Sequence, residues 1–393
     1  MPNSKVFISY AREDAVNAEA LCALLDQKGI LNFLDRTNIP PGRSISDTVE
    51  RELRTASHVI LLLSDKTITK PWPLLEIQVA RECGIAILQV RLSLTQSLPI
   101  RWRLVLGDDR HLEWLTDVSL EEIAKQILGF IGINDRRNHS LHDVVISVKA
   151  PFLNRRKLRE AFAELLEPDG TRILLLEGYR GVGKSYTAEL VRHTAQSNVF
   201  GAVVPSSAGL RELRHLTDEL TAIADFSQLG QPPVLTTPDR YALEYFKWMI
   251  AGLRKAKLPE LWVLVFDGFK VGAVSNELLD VAKRIVAELV AGRHSDFLRV
   301  VLIDSPELMV LAEGSLHAGS ELLEFGDIQE NHALDYVRQR GVELSDAVLA
   351  AVHMLWTHLY ENLKPPEKLS AFSRGLMQYT ANQLKKEGLK PNG

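Results

Sequence analysis

The segment Gly178-Tyr179-Arg180-Gly181-Val182-Gly183-Lys184-Ser185 satisfies the spacing G-x-x-x-x-G-K-[ST] at every fixed position. It follows the apolar run Ile173-Leu174-Leu175-Leu176 and precedes a helical pattern over residues 185–195, the strand–turn–helix setting that such a loop requires. Glycines let successive backbone N–H groups converge on phosphate oxygens at a helix N-terminus. Lys184 would supply a cation to the β- and γ-phosphates, and the Ser185 hydroxyl would ligate Mg²⁺. The expected contact set is Gly178, Arg180, Gly181, Val182, Gly183, Lys184, Ser185 and Tyr186, with ATP or ADP and Mg²⁺ as the ligand. Downstream, Leu261-Trp262-Val263-Leu264-Val265-Phe266-Asp267 is an apolar strand that ends in a carboxylate. That pattern brings Asp267 to the same cation as Ser185. An Asp at a strand end can also simply cap the next turn.

These groups need elements to hold them, and the chain has two stretches of α/β rhythm. In the first, apolar strands over residues 6–10, 30–34, 58–63 and 85–90 alternate with helical patterns over 45–53, 74–83 and 120–131, and with the apolar spacing Ala20, Leu21, Leu24, Leu25. In the second, strands over 172–176, 199–204, 261–266 and 298–303 alternate with helices that include 185–195 and 278–290. Such alternation implies parallel sheets covered on both faces. Residues 331–340, 346–359 and 367–386 read as helices, and 385–393 as a frayed tail. Polar, unperiodic residues from Asn134 to Ser140 mark a linker. The expected organisation is residues 1–133, a linker at 134–150, a sheet core over 151–328 and a helical lid over 329–393.

Composition excludes several classes. At 46% hydrophobic and 24% charged residues, the chain is not disordered. The 46 basic and 50 acidic residues leave a net charge of −4, so no overall basic surface awaits nucleic acid. The basic run Arg136, Arg137, Arg155, Arg156, Lys157 and Arg159 has no interleaved aromatic platform, and no nucleic-acid partner is expected. Two cysteines, Cys22 and Cys83, exclude a disulfide framework and point to a reducing, cytoplasmic setting. Apolar runs such as Val59–Leu63 fall far short of the ~20 residues of a membrane span, and the N-terminus has no signal-peptide pattern. His58, His111 and His193 have no metal-ligand spacing.

Parallel sheets bind ligands outside the carboxyl ends of their strands. In the first stretch those ends hold Ser9-Tyr10-Ala11-Arg12, residues 35–44 with Arg36, Asn38, Arg43 and Ser44, and residues 64–72. Here the motifs resemble a known family. Phe7-Ile8-Ser9-Tyr10-Ala11-Arg12-Glu13-Asp14 is similar to the first box of TIR domains. Phe33-Leu34-Asp35, followed by Ile39-Pro40-Pro41-Gly42, resembles their BB loop. Trp72-Pro73-Leu74-Leu75-Glu76 matches the W-x-x-x-E spacing of the enzymatic members, with Pro73 where Cys is common and without the preceding Tyr. The resemblance spans about residues 3–133 and implies a flavodoxin-like fold with a parallel five-stranded sheet.

It also implies cleavage of NAD⁺ between nicotinamide and ribose. Glu76 would be the catalytic carboxylate, and Tyr10, Arg12, Asp35, Arg43, Ser44 and Trp72 the candidate NAD⁺ contacts. The residues alone leave a plainer alternative open: Pro71, Pro73 and Glu76 also describe an ordinary helix start, and Trp72 an ordinary core residue.

The second stretch, about residues 151–340, resembles the nucleotide-binding part of AAA/STAND-type ATPases. Phe152-Leu153-Asn154-Arg155-Arg156 precedes the loop where that family often has an arginine, and Leu298–Ser305 matches its sensor strand with Asp304 in the polar position. Position 268 is Gly where many ATP-hydrolysing members carry a second acid, so binding is expected ahead of fast hydrolysis; Asp304 or Glu307 could substitute. The pairing implies an NAD⁺-consuming effector of bacterial defence governed by a nucleotide switch. Such a protein assembles as a homo-oligomer through both domains and answers to a separate sensor or trigger protein. The alternative is a non-catalytic signalling scaffold, and Glu76 is the residue that separates the two.

Overall fold

The computed structural model describes residues 5–28, 30–34, 52–92, 94–107, 111–114, 118–131, 140–144, 146, 151–196, 199–205, 211–223, 231–234, 237–256, 260–364 and 367–386. The chain forms two compact units: residues 1–145 with 330–353 and 376–393, and residues 146–329 with 354–375.

In the first unit β1 (Lys5–Ser9), α1 (Ala15–Gln27), β2 (Leu31–Leu34), β3 (His58–Leu63), α2 (Pro71–Glu82), β4 (Ala86–Arg91), α3 (Ile100–Leu106), β5 (His111–Glu113) and α4 (Leu120–Ile131) follow one another. All pairings are parallel, in the order β2-β1-β3-β4-β5. The central strand β3 is buried along its whole length, as a strand covered on both faces must be. Successive side chains part to opposite faces. Phe7, Val59, Leu61 and Leu63 join Ile77 and Ala80 of α2 on one side. Val6, Ile8, Ile60 and Leu62 join α1 and α4 on the other. Each such aliphatic side chain contributes ~1.5–3 kcal/mol by leaving water.

Two elements escape the sequence periodicity for identifiable reasons. The short helix α3 buries Ile100, Trp102, Leu104, Val105 and Leu106, so its apolar residues do not form a single stripe. The edge strand β5 is three largely exposed residues. The expected 45–53 helix lies mostly outside the described residues. Within the expected linker, Ser140, Leu141, His142 and Val144 are buried. There the Ser140 hydroxyl donates to the carbonyls of Leu104 (3.2 Å) and Val105 (2.9 Å). Arg81 serves the same helix end, donating to Val105 O (2.9 Å) and Leu106 O (2.5 Å). Burial lowers its pKa to about 10, which leaves it a cation at neutral pH.

The second unit contains α5 (Arg156–Leu166), β6 (Ile173–Gly178), α6 (Tyr186–Ala195), β7 (Gly201–Val203), α7 (Leu213–Ile223), α8 (Pro238–Lys255), β8 (Trp262–Asp267), α9 (Asn276–Val290), β9 (Leu298–Ile303), α10 (Pro306–Ala312) and β10 (Ala318–Leu323). Its five strands are also all parallel, in the order β10-β6-β9-β8-β7. The strand feeding the glycine-rich loop is thus separated from the strand ending in Asp267 by β9. The edge strand β10 has only Leu323 buried, and its sequence AGSELL has no apolar alternation to announce it.

The C-terminal residues form α11 (Glu330–Gln339), α12 (Asp346–Leu355), a π-helical turn at Trp356–Glu361 and α13 (Lys368–Lys386). The π turn ends the pattern expected to continue to 359. Residues 330–353 belong to the first unit rather than to a lid on the second. There Arg54 donates to both carboxylate oxygens of Asp335 (3.1 and 3.0 Å), and Gln339 donates to Arg81 O (2.8 Å) and Glu82 O (3.1 Å) at the end of α2. The contact needs Gly84: its φ is +66°, and a Cβ there would lie 2.1 Å from Gln339 Cγ. Gly84→Ala should therefore destabilise the first unit by about 1–3 kcal/mol, through a left-handed backbone and a clash. Adding Gln339→Ala should recover the clash but not the backbone strain; urea titrations of the single and double variants check this.

Candidate functional sites

Helix α2 starts at Pro71, which needs no N–H partner there, after Lys70 in extended conformation. That start places Glu76 over the C-terminal end of β1. Its carboxylate is 2% exposed and accepts a 2.6 Å hydrogen bond from the Ser9 hydroxyl. Trp72, one turn earlier on the same helical face, packs partly buried against the Phe7–Ile77 side of the core. Its indole Nε1 is buried with no hydrogen-bond partner among the described residues.

The loop that leads into α2 is tied down by acids of the first sequence box. The hydroxyls of Ser64 (2.6 Å) and Thr67 (3.2 Å) donate to Asp14, and Lys70 pairs with Glu13 at 2.8 Å. The Lys70 ammonium holds the exposed Glu13 carboxyl below its ordinary pKa. Ser9 and Asp14 are the residues that reading by motif leaves without a role. A serine closing an otherwise apolar strand, opposite a helical Glu, was the available signal.

The remaining candidates on this rim separate. Tyr10 packs against the cluster of α1 and α4, whereas Glu76 and Trp72 lie on the α2 face. Arg12 is exposed in a short 3₁₀ turn. Asp35, Arg43 and Ser44 lie outside the described residues.

In the second unit the glycine-rich loop joins β6 to α6, with φ of +138° at Gly178, +82° at Gly181 and +95° at Gly183. Gly183 is required by its backbone, at φ +95°, and a Cβ there would also lie a tight 3.0 Å from Leu369 Cδ2. The Lys184 ammonium is directed at the carbonyls of Gly178 and Tyr179 and at Asp304 Oδ1, 3.3 Å away. The Ser185 hydroxyl lies near enough to the Asp267 carboxylate to lower its pKa, so the two groups expected at a cation are neighbours. Burial raises the Asp267 pKa, and the Ser185 hydroxyl and the Arg211 charge offset part of that rise.

Arg211 lies outside every motif and proves central. Its guanidinium sits over the Phe269 ring at 4.8 Å and donates to the carbonyls of Asp267 and Gly268. From the other side Ser305 Oγ accepts from Phe269 N (2.9 Å) and donates to Phe266 O (2.9 Å). Arg155, buried at 5% exposure, donates to Val182 O, to Glu324 O and to Asp327. Arg159 donates to Asn154 O and Phe152 O, so this part of the basic run faces inward.

A cleft of about 770 Å³ opens beside the loop, lined by Gly178, Arg180, Lys184, Lys270, Asp304, Ser305, Pro306 and Met309. Of the two acids considered as bases, Asp304 faces this cleft. Glu307 instead accepts from the Val271 N–H at 3.1 Å. The donor set of curled backbone, ammonium, hydroxyl and carboxylate suits a polyphosphate with a hard cation. Among the described residues no group of three His, Cys, Asp or Glu gathers as a metal site, and no helix is long and apolar enough to cross a membrane.

Residues 6–124 match the family profile described as TIR domain. Among solved structures, the TIR domain of the Toll-related receptor TRR-2 from Hydra magnipapillata is 18% identical, covering 33% of this chain and 98% of that one, with TM-score 0.28. Cdc6p from Pyrobaculum aerophilum is 12% identical over 63% of this chain and 66% of its own, TM-score 0.36. NtrX from Brucella abortus, solved with ADP, is 11% identical over 99% and 84%, TM-score 0.29. No curated protein sequence matches the chain. The N-terminal part of the chain carries a TIR domain, and the second unit is an α/β domain built on an all-parallel five-stranded sheet.

A buried carboxylate opposes folding when ionised. Asp267→Asn should therefore stabilise the nucleotide-free chain by about 1 kcal/mol at pH 7. Because burial raises the folded-state pKa, the wild-type penalty is present above the carboxylate range and disappears as pH falls and Asp267 takes up a proton. Thermal unfolding of both proteins at pH 7 and pH 4 checks this: the gap should close at the lower pH.

Proposed function

We propose that the first unit hydrolyses the nicotinamide–ribose bond of NAD⁺ and that a Mg²⁺–nucleotide held by the second unit controls it. The observation that supports this most is the Ser9–Glu76 pair at the carboxyl end of a parallel sheet, beside the Trp72 indole. Nicotinamide leaves with the electrons of the C–N bond as a neutral molecule, so no general acid is needed. The ribose becomes oxocarbenium-like, and the Glu76 carboxylate stabilises that charge and the ribose hydroxyls. Water adds to the anomeric carbon and loses a proton, completing ADP-ribose. Ser9 holds one carboxylate oxygen and so orients the other.

The loop residues Gly178 to Tyr186 cradle ATP or ADP, with Ser185 and Asp267 at Mg²⁺. A nucleotide shifts the equilibrium only through its different affinity for the two arrangements of the chain. Assembly into homo-oligomers, prompted by a separate trigger protein, completes the NAD⁺ site, and the setting is cytoplasmic antiphage defence. With Gly268 beside Asp267, ATP turnover is slow. A second reading, a non-catalytic TIR scaffold oligomerised by the nucleotide domain, draws on the 2% exposure of Glu76, which suits an internal hydrogen-bond acceptor as well as a catalyst.

Chromatography of NAD⁺ incubated with wild type, Glu76→Ala and Lys184→Ala, each with and without Mg-ATP, separates the readings. The catalytic reading expects nicotinamide release from wild type, a loss of at least about 100-fold in Glu76→Ala, and loss of the ATP response in Lys184→Ala. Release that is equal in wild type and Glu76→Ala, or absent from wild type with every nucleotide and trigger tried, would leave the scaffold.

A further inference from the structure

The Lys184 ammonium donates to Gly178 O and Tyr179 O and forms an ion pair with Asp304 Oδ1 at 3.3 Å. Asp304 is unusual in two further ways. It adopts φ +45°, a left-handed conformation at a non-glycine residue, at the point where β9 ends. It is also 59% exposed on the wall of the phosphate cleft, while its lysine partner is 5% exposed. The loop cation is therefore met by an exposed anion that follows the neighbouring strand and lines the same cleft. A second carboxylate, Asp267, stands close enough for Asp304 to disfavour its ionised form.

We infer that Asp304 is a specificity residue that excludes metal-free triphosphate from the loop and admits it as the Mg²⁺ complex. The inference rests on the reading of the loop as a nucleotide site. A bare γ-phosphate must displace Asp304 from Lys184 and then sit beside two carboxylates. A divalent cation between phosphate and carboxylates turns that repulsion into attraction, so the cost falls on free ATP and much less on Mg-ATP or on a diphosphate. Lys270 and Arg180 line the same cleft, yet neither is the group that Asp304 engages.

Asparagine is the suitable probe, because it keeps the shape of Asp304 and tolerates the left-handed backbone. Binding of a fluorescent ATP analogue and of its ADP counterpart is measured on full-length wild type, Asp304→Asn and Lys184→Ala, in Mg²⁺ and in EDTA. In EDTA, Asp304→Asn should bind the triphosphate at least about tenfold more tightly than wild type does, with at most about a threefold change for the diphosphate or in Mg²⁺. Lys184→Ala should lose binding under all conditions. Equal triphosphate affinity of Asp304→Asn and wild type in EDTA, with Mg²⁺ binding intact, overturns this inference alone. No binding of either nucleotide by wild type in Mg²⁺ overturns the loop reading and this inference together.

Discussion

A carboxylate taken partly or wholly out of water needs compensation, and in each unit a serine hydroxyl stands by the acid in question. Glu76 accepts a hydrogen bond from Ser9, and Ser185 lowers the pKa of Asp267 against the rise that burial causes. Left without such a bond, a buried carboxylate costs several kcal/mol and tends to take up a proton instead. The sheets supply the geometry. In a parallel sheet every strand runs out on the same rim, so the polar residues that end the strands gather there, while the interiors stay apolar. Ser9 ends β1, Asp267 ends β8, and Asp304 follows the last residue of β9. The hydrophobic order of the sheets thus determines where ionisable groups can stand with partners.

Legibility in the sequence followed burial. Strands such as β3 and β9 are apolar because both faces are covered, and their runs of Val, Ile and Leu announce them directly. Elements lacking that pressure were silent. The edge strand β10 lies against the loop-bearing β6, yet it reads AGSELL because one side meets solvent. The loop residues from Gly178 to Ser185 were legible because an apolar strand, a turn needing positive-φ glycines and a helix start follow one another there without a gap. Arg211 was not, since it reaches Asp267 and Gly268 from far along the chain, and only the fold makes them neighbours. Ser9 likewise becomes meaningful only when α2 lays Glu76 over it. Tyr10 shows the reverse: a good stacking residue by type, it spends its ring on the α1/α4 core.

Arginines carry an unusual share of the internal polar structure. Arg81 closes the end of α3, and Arg299 reaches Leu165 O and Glu167 O at the end of α5. Both have pKa values lowered to about 10 by burial and remain charged at neutral pH. A guanidinium suits this use because its planar fork reaches several carbonyls at once and is more weakly hydrated than an ammonium. The formal basic residues around position 155 therefore say little about an external anion: Arg155 and Arg159 are consumed by backbone carbonyls inside the fold.

The environment of Asp267 bears on whether the nucleotide unit works as a motor or a switch. Fast hydrolysis needs a base poised over an attacking water, within about one hydrogen bond of it. The residue after Asp267 is glycine, and the turn that follows is held from both sides, by Arg211 on the carbonyls and by Ser305 on Phe269 N and Phe266 O. That arrangement keeps the Asp267 carboxylate in place at the cost of freedom in the turn. Glu307 accepts from the Val271 N–H with one oxygen and is not among the residues lining the cleft. Asp304 faces the cleft, but its contact is with Lys184, the cation that the proposed reading assigns to the phosphate. A carboxylate that competes for the phosphate-binding cation is better placed to regulate occupancy than to activate water. On the proposed reading, such a unit distinguishes bound states rather than turning nucleotide over.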